Sequence, residues 1–244
     1  MRNVLAIFKR ELSGYFSTPV AYVFIVIFLL LTSYLTFFEA GFYERREATL
    51  ASFFLLHPIL YLFLIPAVSM RLWAEERKQG TMELLMTLPI STAQAVAGKY
   101  LAAWTFTTIA LACTFPLWAT VNYLGNPDNG VIIASYVGSF LMAGGYLAIG
   151  SCLSAITRNQ VIAFVVTITA CALFLLMANG DVMTFLSGYL PAQVVDVIAS
   201  FSFSRRFSSI TKGVIEARDV VYFLSLIGTW LAANVLVLEM KRGS

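Results

Sequence analysis

Charge is scarce in this chain. Asp, Glu, Lys and Arg make up 12% of its 244 residues, where ordinary soluble domains carry roughly 25%. Histidine is nearly missing: His57 is the only one, so no histidine-based metal cluster can be built, and packing beside Pro58 is favoured over catalysis. The three cysteines, Cys113, Cys152 and Cys171, all lie in apolar runs. An odd number with no Cys or His at ligand spacing gives neither a disulfide framework nor a zinc site, and a free thiol packs as a small hydrophobe. No G-x-x-x-x-G-K-[ST] phosphate loop is present, since Gly98-Lys99 lacks the upstream glycine and is followed by Tyr100. The chain cannot bind ATP by that route, so energy for driven transport must come from another polypeptide. A net charge of +3 gives no footing for a nucleic-acid partner.

What the chain does have is apolar length. Hydrophobic residues make up 59% of it, which places it in the membrane class. A helix crossing the hydrocarbon core needs about 20 apolar residues. Six stretches qualify: about 19–38, 53–72, 100–121, 131–156, 161–178 and 220–238, the fourth long enough to tilt and the fifth short. The run at 19–38 exceeds the 7–15 residues of a signal-peptide core, and no small-x-small site follows, so it reads as a retained span.

Six spans put both termini on one side. With the N-terminus inside, inner segments hold ten Lys and Arg and outer segments six, four of them in one long loop. The positive-inside bias therefore makes both termini cytoplasmic. The expected fold is an all-α integral membrane protein. Residues 1–18 form an interfacial helix, 19–238 the six-span domain, and 239–244 a cytoplasmic tail.

The apolar cores of the spans hold no Asp, Glu, Lys, Arg or His away from their ends. Intramembrane charges cost several kcal/mol and mark ion or proton pathways. Their absence weighs against a proton-coupled carrier, and less strongly against a sodium-coupled one. The fourth span carries Gly138, Gly144, Gly145, Gly150, Ser151, Ser154 and Ala155. Such small residues let membrane helices approach closely, within the chain or across a dimer, or face a substrate.

Three segments outside the spans have structure of their own. In residues 4–16, Val4, Leu5, Phe8, Leu12, Tyr15 and Phe16 recur on one side of a helix, with Arg2, Lys9, Arg10 and Ser13 mostly on another. That pattern suits a helix lying in the interface, its basic residues near anionic headgroups. Pro19 then begins a new helix.

The second segment is "WAEERKQGTMELLMTLPIS", Trp73 to Ser91. Gly80 permits a sharp turn, Thr81 can cap a helix from Met82, and Glu83 sits near its positive end. Met82, Leu85 and Met86 share a face, Leu84 and Leu88 extend it, and Pro89 stops the helix. Ser91 to Gln94 offers a capping box for the next helix. The apolar face lies either on the lipid interface or in a groove of a partner protein, the mode that adaptable methionines favour.

The third segment is residues 179–219. Pro191 can begin a helix bearing Val194, Val195, Ile198 and Phe201, while Phe207, Ile210 and Val214 repeat at helical spacing. Gly213 weakens that second helix by ~1 kcal/mol. Such helices dip into the outer interface and either cap a pathway or cover the ends of the spans.

"EERKQGTMELLMTLPIS" resembles the E-E-x-x-x-G-T-x-E-x-L-L-x-x-P segment of ABC-2 type transporter permeases. "FKRELSGYFSTPVAYVF" looks like the elbow helix and first span of that family, closest to its gliding-motility and nitrous-oxide-maturation branches. "RRFSSITKGVIEARDVVYF" resembles the outer segment before the last span. The resemblance implies a subunit of the bacterial inner membrane, in a homodimer or closely related heterodimer, with two cytoplasmic ABC ATPase subunits. ATP and Mg would be bound there, and no cofactor by this chain.

It also makes the segment between spans two and three a coupling helix, with Glu76, Gly80, Thr81, Glu83, Leu84, Leu85 and Pro89 as its residues. Glu76 and Glu83 would meet basic groups of the ATPase, and Leu84 and Leu85 its groove. Phe8, Lys9, Arg10 and Leu12 fall on the elbow, and Pro191, Phe207, Ile210 and Val214 on outer helices that are gate candidates. The gliding branch is often associated with an auxiliary membrane-anchored envelope protein. The expected function is ATP-driven export. The alternatives are a mechanotransmitter acting on an envelope partner and a secondary carrier.

Overall fold

The computed structural model describes residues 2–39, 41, 42, 44, 49–82 and 89–242, and among these every regular element is helical. Helix α1 (Arg2–Phe16) ends where the Ser17 and Thr18 hydroxyls turn back onto the carbonyls of Gly14 and Tyr15. Pro19 then occupies the first position of α2 (Pro19–Tyr34), where its missing N–H costs nothing. A π-helical turn, Leu35–Glu39, extends that helix.

A short α3 (Ala51–Leu55) leads into α4 (His57–Ser69) and α5 (Arg71–Gln79), one span interrupted at Met70. Next come α6 (Thr92–Ala112) and α7 (Phe115–Leu124). They part where the ring of Pro116 would strike the carbonyl four residues earlier in a continuous helix. Asp128 caps the 28-residue α8 (Asn129–Ile156) by accepting from the N–H groups of Gly130 and Val131. After α9 (Gln160–Leu176) come α10 (Gly180–Ser187), α11 (Ala192–Ser200), α12 (Phe203–Ile210) and the long α13 (Ala217–Arg242).

Five of these helical stretches are long and apolar enough to cross a membrane: Pro19–Glu39, His57–Gln79, Thr92–Leu124, Asn129–Ile156 and Ala217–Lys241. A sixth is present only if α9 and α10, bent by 72° to each other, count as one. The expected fifth span corresponds to α9 alone. It stops at Leu176, and the Asn179 side chain caps a new helix in another direction. The third stretch begins earlier than hydrophobicity suggests, at Thr92, so Lys99 sits inside a continuous helix.

Helix α8 is the centre of the molecule, buried along most of its length, while α2 and α13 are largely exposed. Its small residues serve packing within the chain. A Cβ on Gly138 would come 2.8 Å from Ile210, and one on Gly144 would come 2.9 Å from the Trp104 ring. At Gly150 the approach is tighter still, 2.0 Å to the Ser69 hydroxyl, so α4 and α8 cross there almost in backbone contact. His57 fills an aromatic nest of Phe28, Phe53, Phe54 and Tyr61, its Nδ1 3.0 Å from the Phe53 carbonyl. Its role there is packing.

The segment before α13 differs from expectation in one place. Pro191 does precede a helix, and Phe203, Phe207 and Ile210 are buried. Val214, however, lies beyond the end of α12 and is exposed. Gly213 adopts φ +88 beside Val131, a left-handed conformation that turns the chain away.

Candidate functional site

The two flanks of the segment between α5 and α6 are each finished locally. Gly80 ends α5 with φ +72, its N–H returning to the Arg77 carbonyl. On the far side the capping box forms as expected: Ser91 accepts from the Gln94 N–H, and the Gln94 side chain accepts from the Ser91 N–H. Asn3 of α1 donates to the same Gln94 oxygen. Met82 and Ile90 pack against the core from either flank. Glu83, Leu84 and Leu85 lie outside the described residues; Gly80 and Pro89 are exposed.

Between the flanks sits a ring of four charges. The ammonium of Lys99, its side chain only 3% exposed, lies 2.7 Å from Glu76 of α5 and 3.2 Å from Glu11 of α1. Arg10 closes the ring, 2.6 Å from Glu11 and 4.0 Å from Glu76. The hydrogen bond to Glu11 holds the Arg10 guanidinium above its usual pKa. Two of these pairs, Lys99 with Glu76 and Arg10 with Glu11, are charge-assisted hydrogen bonds, and the other two are ion pairs. The Thr81 hydroxyl, just past the Gly80 turn, donates to the other Glu76 oxygen at 2.9 Å. One neutral cluster therefore ties together α1, α5, α6 and the first residues of the segment.

Apolar packing aligns the same elements. Gly98 lets α1 lie directly on α6, because a Cβ there would come 2.8 Å from Ile7. Nearer the end of α1, Tyr15 stacks on Phe106 at 4.9 Å. The buried side of α1 is not quite the one the apolar residues marked. Ile7 and Glu11 turn inward and Leu5 outward; Phe8 and Leu12 are half-buried, while Lys9 and Arg10 remain exposed.

One turn before Glu76, Trp73 links the ring to the middle of the molecule. The Lys99 ammonium stands 5.5 Å over its indole, a cation–π contact. The indole N–H donates to Ser151 of α8 at 3.4 Å, and Asn234 of α13 donates to the same oxygen at 2.7 Å. The backbone N–H groups of Trp73 and Ala74, in the first turn of α5, both donate to the Ser154 hydroxyl, which donates onward to the Met70 carbonyl. Donors in a helix's first turn have no partner within the helix. Here a side chain of α8 supplies one, and the break at Met70 is held open by it.

The Glu76 carboxylate, expected to meet a partner's basic groups, is engaged within the chain by Lys99 and Thr81. Glu11, Lys99, Trp73 and Ser154 were not singled out for this site. The signal for Glu11 and Lys99 was a charge at an inward helical position. The other two carried none, because their partners are distant in sequence. Pro191, Phe207, Ile210 and Val214 are not gathered with these residues; Ile210 packs on Gly138 of α8.

A family model described as ABC-2 family transporter protein matches residues 5–240. No curated protein matches the chain at a significant level.

Proposed function

Because the chain belongs to the ABC-2 family of transporter proteins, we propose that it is the membrane-spanning subunit of an ATP-driven exporter. It works as a dimer beside two separate cytoplasmic ABC ATPase subunits, which bind the ATP and Mg. Both termini and residues 80–89 face the cytoplasm of a bacterial inner membrane, and those residues meet the ATPase.

The observation that supports this reading most is the charge ring. A segment whose two flanks are clamped at Glu76 and Lys99 cannot be pushed without moving α1, α5 and α6 together. ATP-driven closure of the ATPases displaces that unit. The break at Met70, held by Ser154, lets α5 shift against α4, and Trp73 passes the displacement to α8 and α13. The spans then exchange one packing for another, as packed elements do in switching transitions.

The test is co-purification with a candidate ATPase subunit and measurement of the ATPase activity of the complex. The paired change Leu84→Asp and Leu85→Asp is expected to abolish both. If binding and coupled hydrolysis survive it, residues 80–89 are not the contact.

A second reading draws support from α12. Ile210 is seated on Gly138, so a shift of α8 carries α12 with it and can press on an envelope partner without any cargo crossing. Substrate flux in vesicles holding the complete complex separates the two readings.

A further inference from the structure

Three cations from three parts of the chain follow the contact of α5 with α8, where the Ala74 N–H donates to the Ser154 hydroxyl at 3.1 Å. Arg77 is in the last turn of α5, Arg158 in the connection between α8 and α9, and Lys241 at the end of α13. The Lys241 ammonium donates to the carbonyls of Ala155 and Ile156, at 3.3 and 2.5 Å, which brings α13 against the end of α8 two residues before Arg158. The groups are close enough to repel: Arg158 acts on Arg77, and both act on Lys241.

Neither arginine has a carboxylate within ion-pairing distance among the described residues, although Arg10, Arg71, Lys99, Arg206 and Arg218 all do. Among the described residues Arg77 donates to the Met82 sulfur. Mutual repulsion of this kind persists in a fold when something anionic relieves it.

The surroundings indicate which anion. Ile156, Val161, Ile162 and Val165 lead away from Arg158 along α8 and α9, and Leu236 and Met240 lead away from Lys241 along α13. All six are exposed by half or more of their surface. A soluble phosphate would have no use for these faces, whereas acyl chains would cover them. Asn159 caps α9 immediately after Arg158, so the exposed apolar face of that helix begins within one turn of the guanidinium's residue.

We propose that Arg77, Arg158 and Lys241 form a site for the headgroup of an anionic phospholipid, whose acyl chains lie on the exposed faces of α9 and α13. The phosphate sits between the two guanidinium groups, which can chelate it with paired N–H donors. Lys241 adds charge while keeping the end of α8 in place. Arg77 is three residues from Gly80, so an occupied site stiffens the turn that leads into residues 80–89. Lipid composition would thereby act on the same turn as the ATPase, although the binding itself does not depend on the transport reading.

Native mass spectrometry of the purified full-length chain tests this, with phosphatidylglycerol and phosphatidylcholine added at equal concentration. Phosphatidylglycerol is expected to be retained preferentially. The double variant Arg77→Gln, Arg158→Gln should bind it about 30-fold more weakly, since each basic side chain near an anionic surface contributes roughly fivefold. The variant Lys212→Gln, which alters an exposed lysine just past α12, should change nothing. Thermal unfolding of each variant checks that the fold is intact.

Equal retention of the two lipids overturns the proposal, as does equal loss in the Lys212 variant. Displacement of phosphatidylglycerol by excess inorganic phosphate would reassign the cations to a soluble anion. If the arginine variants keep the lipid but lose a co-purifying ATPase, the cations belong to a protein interface instead.

Discussion

Removing the Lys99 ammonium while Glu11 and Glu76 stay in place would leave two carboxylates facing one another with only Arg10, at the rim, between them. Breaking a buried pair from one side typically costs about 3–5 kcal/mol, whereas replacing the whole cluster by neutral groups is often close to neutral. Lys99→Met is therefore expected to lower the unfolding temperature in detergent sharply. Adding Glu11→Gln and Glu76→Gln to it should recover most of the loss. A triple variant no more stable than the single one would show that the ring is not what holds α1 to α6. These residues also mark how far the sequence could be read. The apolar stripe of α1 was visible, but a rule that sorts charged residues to the solvent side puts Glu11 with Lys9 and Arg10. Its partner on α6, Lys99, is 88 positions away, and no local pattern reports it.

The helices whose ends were legible are those capped by their own neighbours. Ser91 with Gln94 and the proline at the start of α2 all follow from chemistry within a few residues. The break at Met70 does not, because the group that completes the first turn of α5 is Ser154 of α8. Ser154→Ala strips two backbone N–H groups of their acceptor, and each unsatisfied buried donor costs about 1–3 kcal/mol. Hydrogen exchange should accelerate at Trp73 and Ala74 and stay unchanged in α13. Protection that survives would mean the helix closes the gap by itself. The crossing of α4 and α8 is a separate matter of space. Gly150→Ala would set a methyl group 2.0 Å from the Ser69 hydroxyl and 2.6 Å from its Cβ, so one helix must move. Overpacking of that kind costs about 1–3 kcal/mol, and the pair Gly150→Ala with Ser69→Gly should regain much of it in thermal unfolding.

Across the whole chain, helix α1 belongs to the membrane domain as much as any span. Deleting residues 2–16 takes Glu11 from Lys99, Ile7 from Gly98 and Tyr15 from Phe106 at once. The shortened chain is expected to insert but to unfold at a much lower temperature, measured against the full chain in the same detergent; equal stability would make α1 a passive tail. The number of spans was the least legible property at this scale, because composition counts apolar residues and not the direction of the axis they build. The bend between α9 and α10 decides how the sixth candidate meets lipid. At 1.5 Å per residue the 17 residues of α9 measure about 25 Å, against a hydrocarbon thickness of about 30 Å. Were α9 to cross the bilayer by itself, local thinning would have to make up the difference, so short-chain lipids should then accept the chain more readily than long-chain ones; equal acceptance would mean that α10 completes the crossing.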